Sequence, residues 1–394
     1  MLPDYYEFQN ASKALSGEHA LENIPRELAG LDACRPLLLS DRMLEKLGLV
    51  QMVVDALSEG DVQLGGMFLD LTANTSMEVV NEIAALYRKL NCDSLIALGG
   101  GAVMDTAKGA VMVLSQNTDD ILNVRGCETL TRGNRMPFIA IPTTAGTGSE
   151  AAMVAVITDG NRGIKMEFIS HHLVPDVAVL DPRMTLSLPP RITASTGMDA
   201  LCHAVEAYTC LQKNPLSDAY AAAAIAMIRD NLSTAVKDGK NKKARLAMAN
   251  AAYMAGAAFS NSMVGVVHAI GHALAGVCKI AHGDAMTILL PYGMEYNFDL
   301  LRDVYGELLL YLGGGELYAA TPAGERGRKS IQLIREMGNE FHQLCGLPIR
   351  LSQLGVDKQD FDRVARTALN DGAIIVNPKK VDYEDVLAIL EQAY

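Results

Sequence analysis

Between Val266 and Met286 the chain reads VVHAIGHALAGVCKIAHGDAM, placing three of its eight histidines in an apolar stretch. Burying an imidazole is costly unless its nitrogens find partners. His268 and His272 stand four apart, so a helix would set them on one face. His282 follows ten residues later, before a Gly-Asp pair that reads as a new turn. Upstream, TGMDALCHAVEAY carries a second pair four apart, Asp199 and His203. Taken singly, a histidine in a helix is most often a satisfied core or surface residue. Together, three imidazoles and one carboxylate can hold a divalent cation where charge is scarce. Such N and O donors suit Fe2+ or Zn2+, and no thiolate is well placed to argue for zinc. The H-E-x-x-H zincin pattern fails, because residue 269 is Ala.

A second chemistry lies in the glycines. A dinucleotide fingerprint of the G-x-G-x-x-G kind would follow the first strand, where LLLSDRMLEKLG has no glycine cluster. The glycines come later, in IALGGGAVMDTAKG. Gly99, Gly100 and Gly101 allow a tight turn that brings backbone amides close to an anion. The helix opening at VMDTAKG would present its N-terminus to a pyrophosphate. The next strand ends in IPTTAGTGSE, where Thr143, Thr144, Thr147 and Ser149 offer small hydroxyls. Open α/β sheets bind ligands at that edge. Asp41 ends the first of these strands, where a carboxylate can accept bonds from ribose hydroxyls and repel a 2′-phosphate. NAD is therefore expected over NADP, although a strand-end Asp is also a common turn or cap residue.

These residues need a scaffold, and the apolar pattern supplies one. RPLLLSD (35–41), GGMFLDL (65–71), SLIALGGG (94–101), FIAIPTT (138–144) and DVAVLDP (176–182) read as buried strands. Amphipathic stretches such as SMEVVNEIAALYRKL (76–90) separate several of them, which implies a parallel sheet covered on both faces. VAVITDGNRGIKMEFIS (154–170) reads as a hairpin. After SLPPRITAST the strand pattern vanishes, and Ser217 is expected to cap a helix over DAYAAAAIAMIRDNL. The expected domains are 1–185, a dinucleotide-binding α/β domain, and 186–394, a helical metal-binding domain.

Composition narrows the partners. Lys plus Arg total 34 against 46 Asp plus Glu, a net −12 that disfavours nucleic acid and anionic membrane. Seven scattered cysteines without a C-x-x-C pair, and an N-terminus lacking a basic then apolar run, point to a reduced cytoplasmic protein. Leu246 to Cys278 contains no charged residue and is long enough to span a bilayer. Its Asn250, Asn261, His268, His272 and serines favour helices buried in protein instead.

Along nearly its whole length the chain resembles the iron-containing (group III) alcohol dehydrogenases. The matching stretches are LLLSD, GGGAVMDTAKG, IPTTAGTGSE, ITDGNRGIK, DPRMTLSLPP, TGMDALCHAVEAY, HAIGHALAG with HGDAM, and NPKKVDYED. The resemblance implies a dehydroquinate synthase-like architecture: an α/β N-terminal domain of modified Rossmann type with a parallel sheet, plus an all-α C-terminal domain. Metal and nicotinamide would sit in the cleft between them. Carried over by position, the metal ligands are Asp199, His203, His268 and His282, and His272 lies near the nicotinamide without ligating. Nucleotide contacts are Asp41, Asn74, Gly99, Gly100, Gly101, Ala102, Asp105, Thr143, Thr144, Thr147, Val156 and Lys165. Phe259 and Val264 line the substrate cleft. GGGA stands for the commoner GGGS, NTS at 74–76 for N-P-[ST], and Gly271 and Ala273 for a larger or stiffer pair; none removes a ligand.

The implied activity is NAD-dependent interconversion of a small primary alcohol or diol and its aldehyde. Fe2+ is the expected cation, with Zn2+ or Mn2+ fitting the same geometry. His272 is the implied proton relay, and relatives suggest a homodimer or larger homo-oligomer. The competing enzymatic reading is a dehydroquinate-synthase-like or glycerol-dehydrogenase-like metal and NAD enzyme acting on a phosphorylated substrate or polyol. A phosphorylated substrate calls for clustered Lys and Arg, which the histidine region lacks. A non-enzymatic nucleotide- or metal-binding module would bind without turnover.

Overall fold

The computed structural model describes residues 3–72, 76–124, 133–160 and 164–394. Asn74 lies outside them. The chain divides into two compact units, one of Gln9–Thr144 with Gly148–Ser187. The other is Leu188–Tyr394 with Ala145–Thr147 and the residues before Gln9.

The first unit contains strands β1 (Lys13–Ser16), β2 (Pro36–Leu39), β3 (Gly66–Phe68), β4 (Ser94–Gly99), β5 (Phe138–Pro142), β6 (Val154–Asp159), β7 (Ile164–Ile169) and β8 (Val177–Leu180). Its helices are α1 (Ile24–Gly30), α2 (Arg42–Lys46), α3 (Leu49–Ser58), α4 (Met77–Lys89) and α5 (Gly101–Ser115). Among the described residues six strands form a parallel sheet in the order β1-β8-β5-β4-β2-β3. The strands read as unbroken apolar runs because both faces are covered. Leu37, Leu39, Leu95 and Ala97 pack with Val80 and Ile83 of α4 and Met104 and Ala107 of α5. The alternate residues Leu38, Ile96 and Leu98 pack with Ile24 and Leu28 of α1 and Val53 and Leu57 of α3. With β1 set aside, β3-β2-β4-β5-β8 is the doubly wound order 2-1-3-4-5, and its switch point falls between β2 and β4.

β1 has no counterpart in the sequence reading. KALS is short and mostly exposed, so nothing local marks it; the backbone ladder to β8 makes it a strand. β6 and β7 form the expected antiparallel ribbon, paired from Val154↔Ile169 to Asp159↔Ile164.

The second unit is helical: α6 (Pro190–Thr209), α7 (Pro215–Lys237), α8 (Lys242–Ser260), α9 (Val266–Val277), α10 (His282–Ala320), α11 (Arg326–Cys345), α12 (Phe361–Ala368) and α13 (Tyr383–Ala393). α6 is buried on all sides from Met198 to Thr209, surrounded by α7, α8 and α10. The uncharged run from Leu246 forms most of α8 and all of α9 inside this core. Among the described residues no helix is long and apolar enough to cross a membrane.

Two local expectations need correction. Ser217 is not the cap of α7. The cap is Asn214, whose side chain accepts from the amides of Leu216 and Ser217, while Ser217 Oγ accepts from the Asn214 amide. Pro215 suits the first helical position because that residue has no intrahelical acceptor for an N–H, which moves the start three residues upstream. Nor does Gly283-Asp284 form a separate turn. His282 begins α10, and both residues lie in its first turn.

Candidate active site

α6 presents Asp199, His203 and Glu206 along one face, at the spacing of one and two helical turns. α9 supplies His268 and His272, and α10 contributes its first residue, His282. The start of α10 is held against α6. A Cβ on Gly283 would stand 2.7 Å from the Ser195 carbonyl oxygen, so only glycine allows this approach. Beside it, buried Asp284 accepts from Ser195 Oγ at 2.9 Å and from Arg191 at 2.8 Å. HGD therefore works as a unit in which glycine and aspartate seat the histidine.

The result is a cluster of donors around Asp199. Ligand atoms of Asp199, His268 and His282 all lie within 4.8 Å of one another. His282 Nε2 is 3.4 Å from Asp199 Oδ1, and His203 Nδ1 is 3.8 Å from the same oxygen. Metal bonds of about 2.0–2.2 Å put ligand atoms of a tetrahedral centre about 3.3–3.6 Å apart. The first distance fits and the second is slightly long.

Asp199 Oδ1, His203 Nδ1 and His268 Nε2 are buried without a hydrogen-bond partner. Each such atom costs roughly 1–3 kcal/mol if left unsatisfied. An acceptor-only oxygen and imidazole nitrogens converging in this way fit a divalent cation. Burial pushes the Asp199 carboxyl up, but the imidazoles of His203 and His282 hold it far below the usual carboxylate range. Burial drives His203 down to about 3, against the pull of Asp199, and drives His268 well below its ordinary value. The imidazoles of His203 and His268 are thus neutral, with lone pairs free to ligate.

Cys202, Glu206 and His268 form a second cluster of ligand-type atoms. Here the chemistry is hydrogen bonding. His268 Nδ1 lies 2.6 Å from Glu206 Oε2, and burial raises the Cys202 thiol well above its ordinary value, so no thiolate is offered. Glu206 also accepts from the amides of Val267 at 2.8 Å and His268 at 3.2 Å, capping α9. Burial lifts its carboxyl to about 7 against those amide bonds.

His272 stands apart from the donors. Its ring stacks on His282 at 5.2 Å between centroids, and its Nδ1 is 2.8 Å from Asp371 Oδ2. Asp371 Oδ1 accepts from the Ala373 amide at 2.9 Å, which fixes the carboxylate. Burial raises the Asp371 carboxyl, yet His272 keeps it below its ordinary value. The side chains of His272 and His282 are each 31% exposed, against 1% for His268, so the cluster is open on their side. Phe259 stacks on His203 at 4.5 Å and joins Val264, Ala269, Ala373 and Ile374 in a small apolar wall.

In the sheet unit, candidate nucleotide residues follow successive strands. Asp41 comes after β2, Gly99 ends β4 with Gly100–Ala102 behind it, and Thr143 and Thr144 come after β5. The first two flank the switch point. A Cβ on Gly99 would meet Val103 at 2.5 Å, and Gly100 is the cap of α5. Asp41 Oδ1 caps α2 through the Leu44 amide. The oxygens of Asp105 bond Ser149 Oγ and the Val156 amide, tying α5 to β6. Fully buried Lys108 donates to Ser149 Oγ and to the carbonyls of Ala152 and Val154. Burial lowers it to about 8, opposed by Asp105 and Glu150. Lys165 sits on β7 opposite Thr158, while Thr147 belongs with the helical unit.

Sequence reasoning missed Glu206, Asp371 and Lys108. Glu206 could have been found, being three residues from His203 and seven from Asp199 on one helix. Asp371 meets His272 across 99 residues of chain, and no local pattern marks it.

Comparison with known proteins finds matches along nearly the whole chain. Residues 11–182 match the family described as iron-containing alcohol dehydrogenase, and 193–394 match the Fe-containing alcohol dehydrogenase family, C-terminal. The NAD-dependent methanol dehydrogenase of Bacillus methanolicus is 32% identical over 377 residues, 96% of this chain and 97% of that protein. A crystal structure of 1,3-propanediol oxidoreductase superposes with a TM-score of 0.93 at 32% identity, covering 99% of this chain and 100% of that one. The sulfoacetaldehyde reductase of Bifidobacterium kashiwanohense, solved in complex with NAD+, gives 0.87 at 26% identity, covering 99% of each.

Proposed function

The chain belongs to the iron-containing alcohol dehydrogenase family, and from that premise we propose that it interconverts a small primary alcohol or diol and its aldehyde with NAD and a divalent cation, Fe2+ foremost. The observation that carries this reading is the set of three buried, unpartnered donor atoms on Asp199, His203 and His268, beside half-exposed His282. When bound, the cation supplies Lewis-acid polarisation of the substrate oxygen and NAD accepts the hydride from the carbinol carbon.

This chain's residues do the rest. Asp199, His203, His268 and His282 hold the cation. The apolar wall around Phe259 and Val264 excludes water and takes the substrate's carbon chain. In the oxidising direction the hydroxyl proton passes to His272, whose Nδ1 is already engaged by Asp371, and from the exposed edge of that ring to solvent. In the reducing direction His272 returns it. Gly99, Gly100, Gly101 and the N-terminus of α5 cradle the pyrophosphate of NAD. The phosphorylated-substrate alternative is disfavoured, because from Leu246 to Val277 the residues around the donors include no Lys or Arg.

The test is turnover of short alcohols and aldehydes by protein loaded anaerobically with Fe2+, followed by nicotinamide absorbance. No absorbance change with any C2–C4 substrate, despite bound metal, would sink the dehydrogenase reading. The choice of NAD has its own test. Asp41→Gly removes the carboxylate that would repel a 2′-phosphate, so the ratio of kcat/KM for NAD over NADP should fall about tenfold or more, the equivalent of roughly 1.4 kcal/mol. An unchanged ratio moves that role to another residue.

A further inference from the structure

Glu206 is nearly fully buried and belongs to none of the roles above, yet it gathers three donors. Its Oε1 takes the Val267 amide, and its Oε2 takes both the His268 amide and the His268 ring. We propose that Glu206 is a positioning residue of the metal centre, holding His268 with its proton on Nδ1 and its Nε2 lone pair free for the cation. This rests on the metal-centre reading given above.

The geometry leaves His268 little choice. A neutral imidazole carries one proton, and Glu206 Oε2, which already accepts the His268 amide, stands 2.6 Å from Nδ1, so the proton belongs on Nδ1. The other nitrogen, Nε2, is a buried lone pair without a partner. The carboxylate is fixed in turn. Gly265 leaves no space beside it, since a Cβ there would stand 2.9 Å from Glu206 Oε1 and 3.0 Å from Asn377 Oδ1. Asn377 accepts from the Val266 amide at 3.2 Å and exchanges bonds with Asn297. Two side chains from distant elements thus cap α9 together, and one of them also orients the ligand that α9 carries.

A plain capping residue would account for the amide bonds but not for the ring bond, and two variants separate the roles. Glu206→Gln keeps the shape but has one acceptor oxygen. Either its amide group faces Nδ1 and turns the proton onto Nε2, or it faces the Val267 N–H and is repelled. Asn377→Ala removes the cap at Val266 and leaves the Glu206–His268 bond intact. The metal-free proteins are titrated with Zn2+ against a competing chelator, and folding is followed by circular dichroism during heating. Glu206→Gln is expected to bind Zn2+ about 10–100-fold more weakly, the usual cost of losing such an outer partner. Asn377→Ala should lower the melting temperature while its Zn2+ affinity stays within about twofold of wild type, on the scale of a kT-sized effect. Equal weakening in both variants reduces Glu206 to a cap and overturns the proposal, as does wild-type affinity in Glu206→Gln. A wild-type protein that binds no Zn2+ overturns the metal centre itself.

Discussion

His268→Ala is expected to strip the protein of metal and, with it, of activity. After anaerobic loading with Fe2+ and desalting, elemental analysis should find metal in the wild type and only background in the variant. Alcohol oxidation should fall on the order of a thousandfold or more, because Lewis-acid stabilisation of a developing alkoxide is worth several kcal/mol. The reason lies in burial. His268 is 1% exposed and sits beneath the open side of the cluster, where water cannot replace a lost nitrogen donor. The variant also leaves Glu206 facing a void, an acceptor without its ring partner. Fold should survive, since the Val267 and His268 amides still bond that carboxylate and α9 keeps its apolar packing on α10. Full metal retention in a folded His268→Ala protein would remove this residue from the ligand set.

Much of this centre was legible in the sequence, because helix periodicity is local information. Asp199 with His203, and His268 with His272, share faces in the structure as their spacing requires. The parallel sheet was equally legible, since Leu37 to Leu39 and Leu95 to Leu98 are apolar at every position and therefore buried on both faces. What escaped depends on contacts across the chain. α9 starts after Gly265 with no Ser, Thr or Asp before it, because its cap arrives from Glu206 on α6 and Asn377 beyond α12. His282 joins Asp199 only because Gly283 lets α10 touch Ser195. Asp371 reads as an ordinary turn acid until the fold brings it to His272. β1 likewise exists only through its ladder to β8.

His272→Ala should give the opposite profile: metal kept, rate lost. His272 is not one of the four proposed ligands and meets His282 by ring stacking, so metal content should match the wild type. Turnover should fall by about 10²–10⁴, the range for removing a positioned general acid-base group. The partner supports that role over a merely space-filling ring. Asp371 accepts from Nδ1 at 2.8 Å and is itself anchored by the Ala373 amide, which fixes the orientation and tautomer of the ring. With 31% of the side chain exposed, the ring can pass that proton to water. Two readouts distinguish relay from filler. Imidazole added to the buffer should restore part of the rate of His272→Ala in a saturable way, since the vacated space is open to solvent. Asp371→Asn should also keep its metal yet lose rate, because an amide can favour the other tautomer of His272. If His272→Ala loses metal as His268→Ala does, the division of labour among these histidines is wrong. If it keeps both metal and rate, the proton leaves by another route.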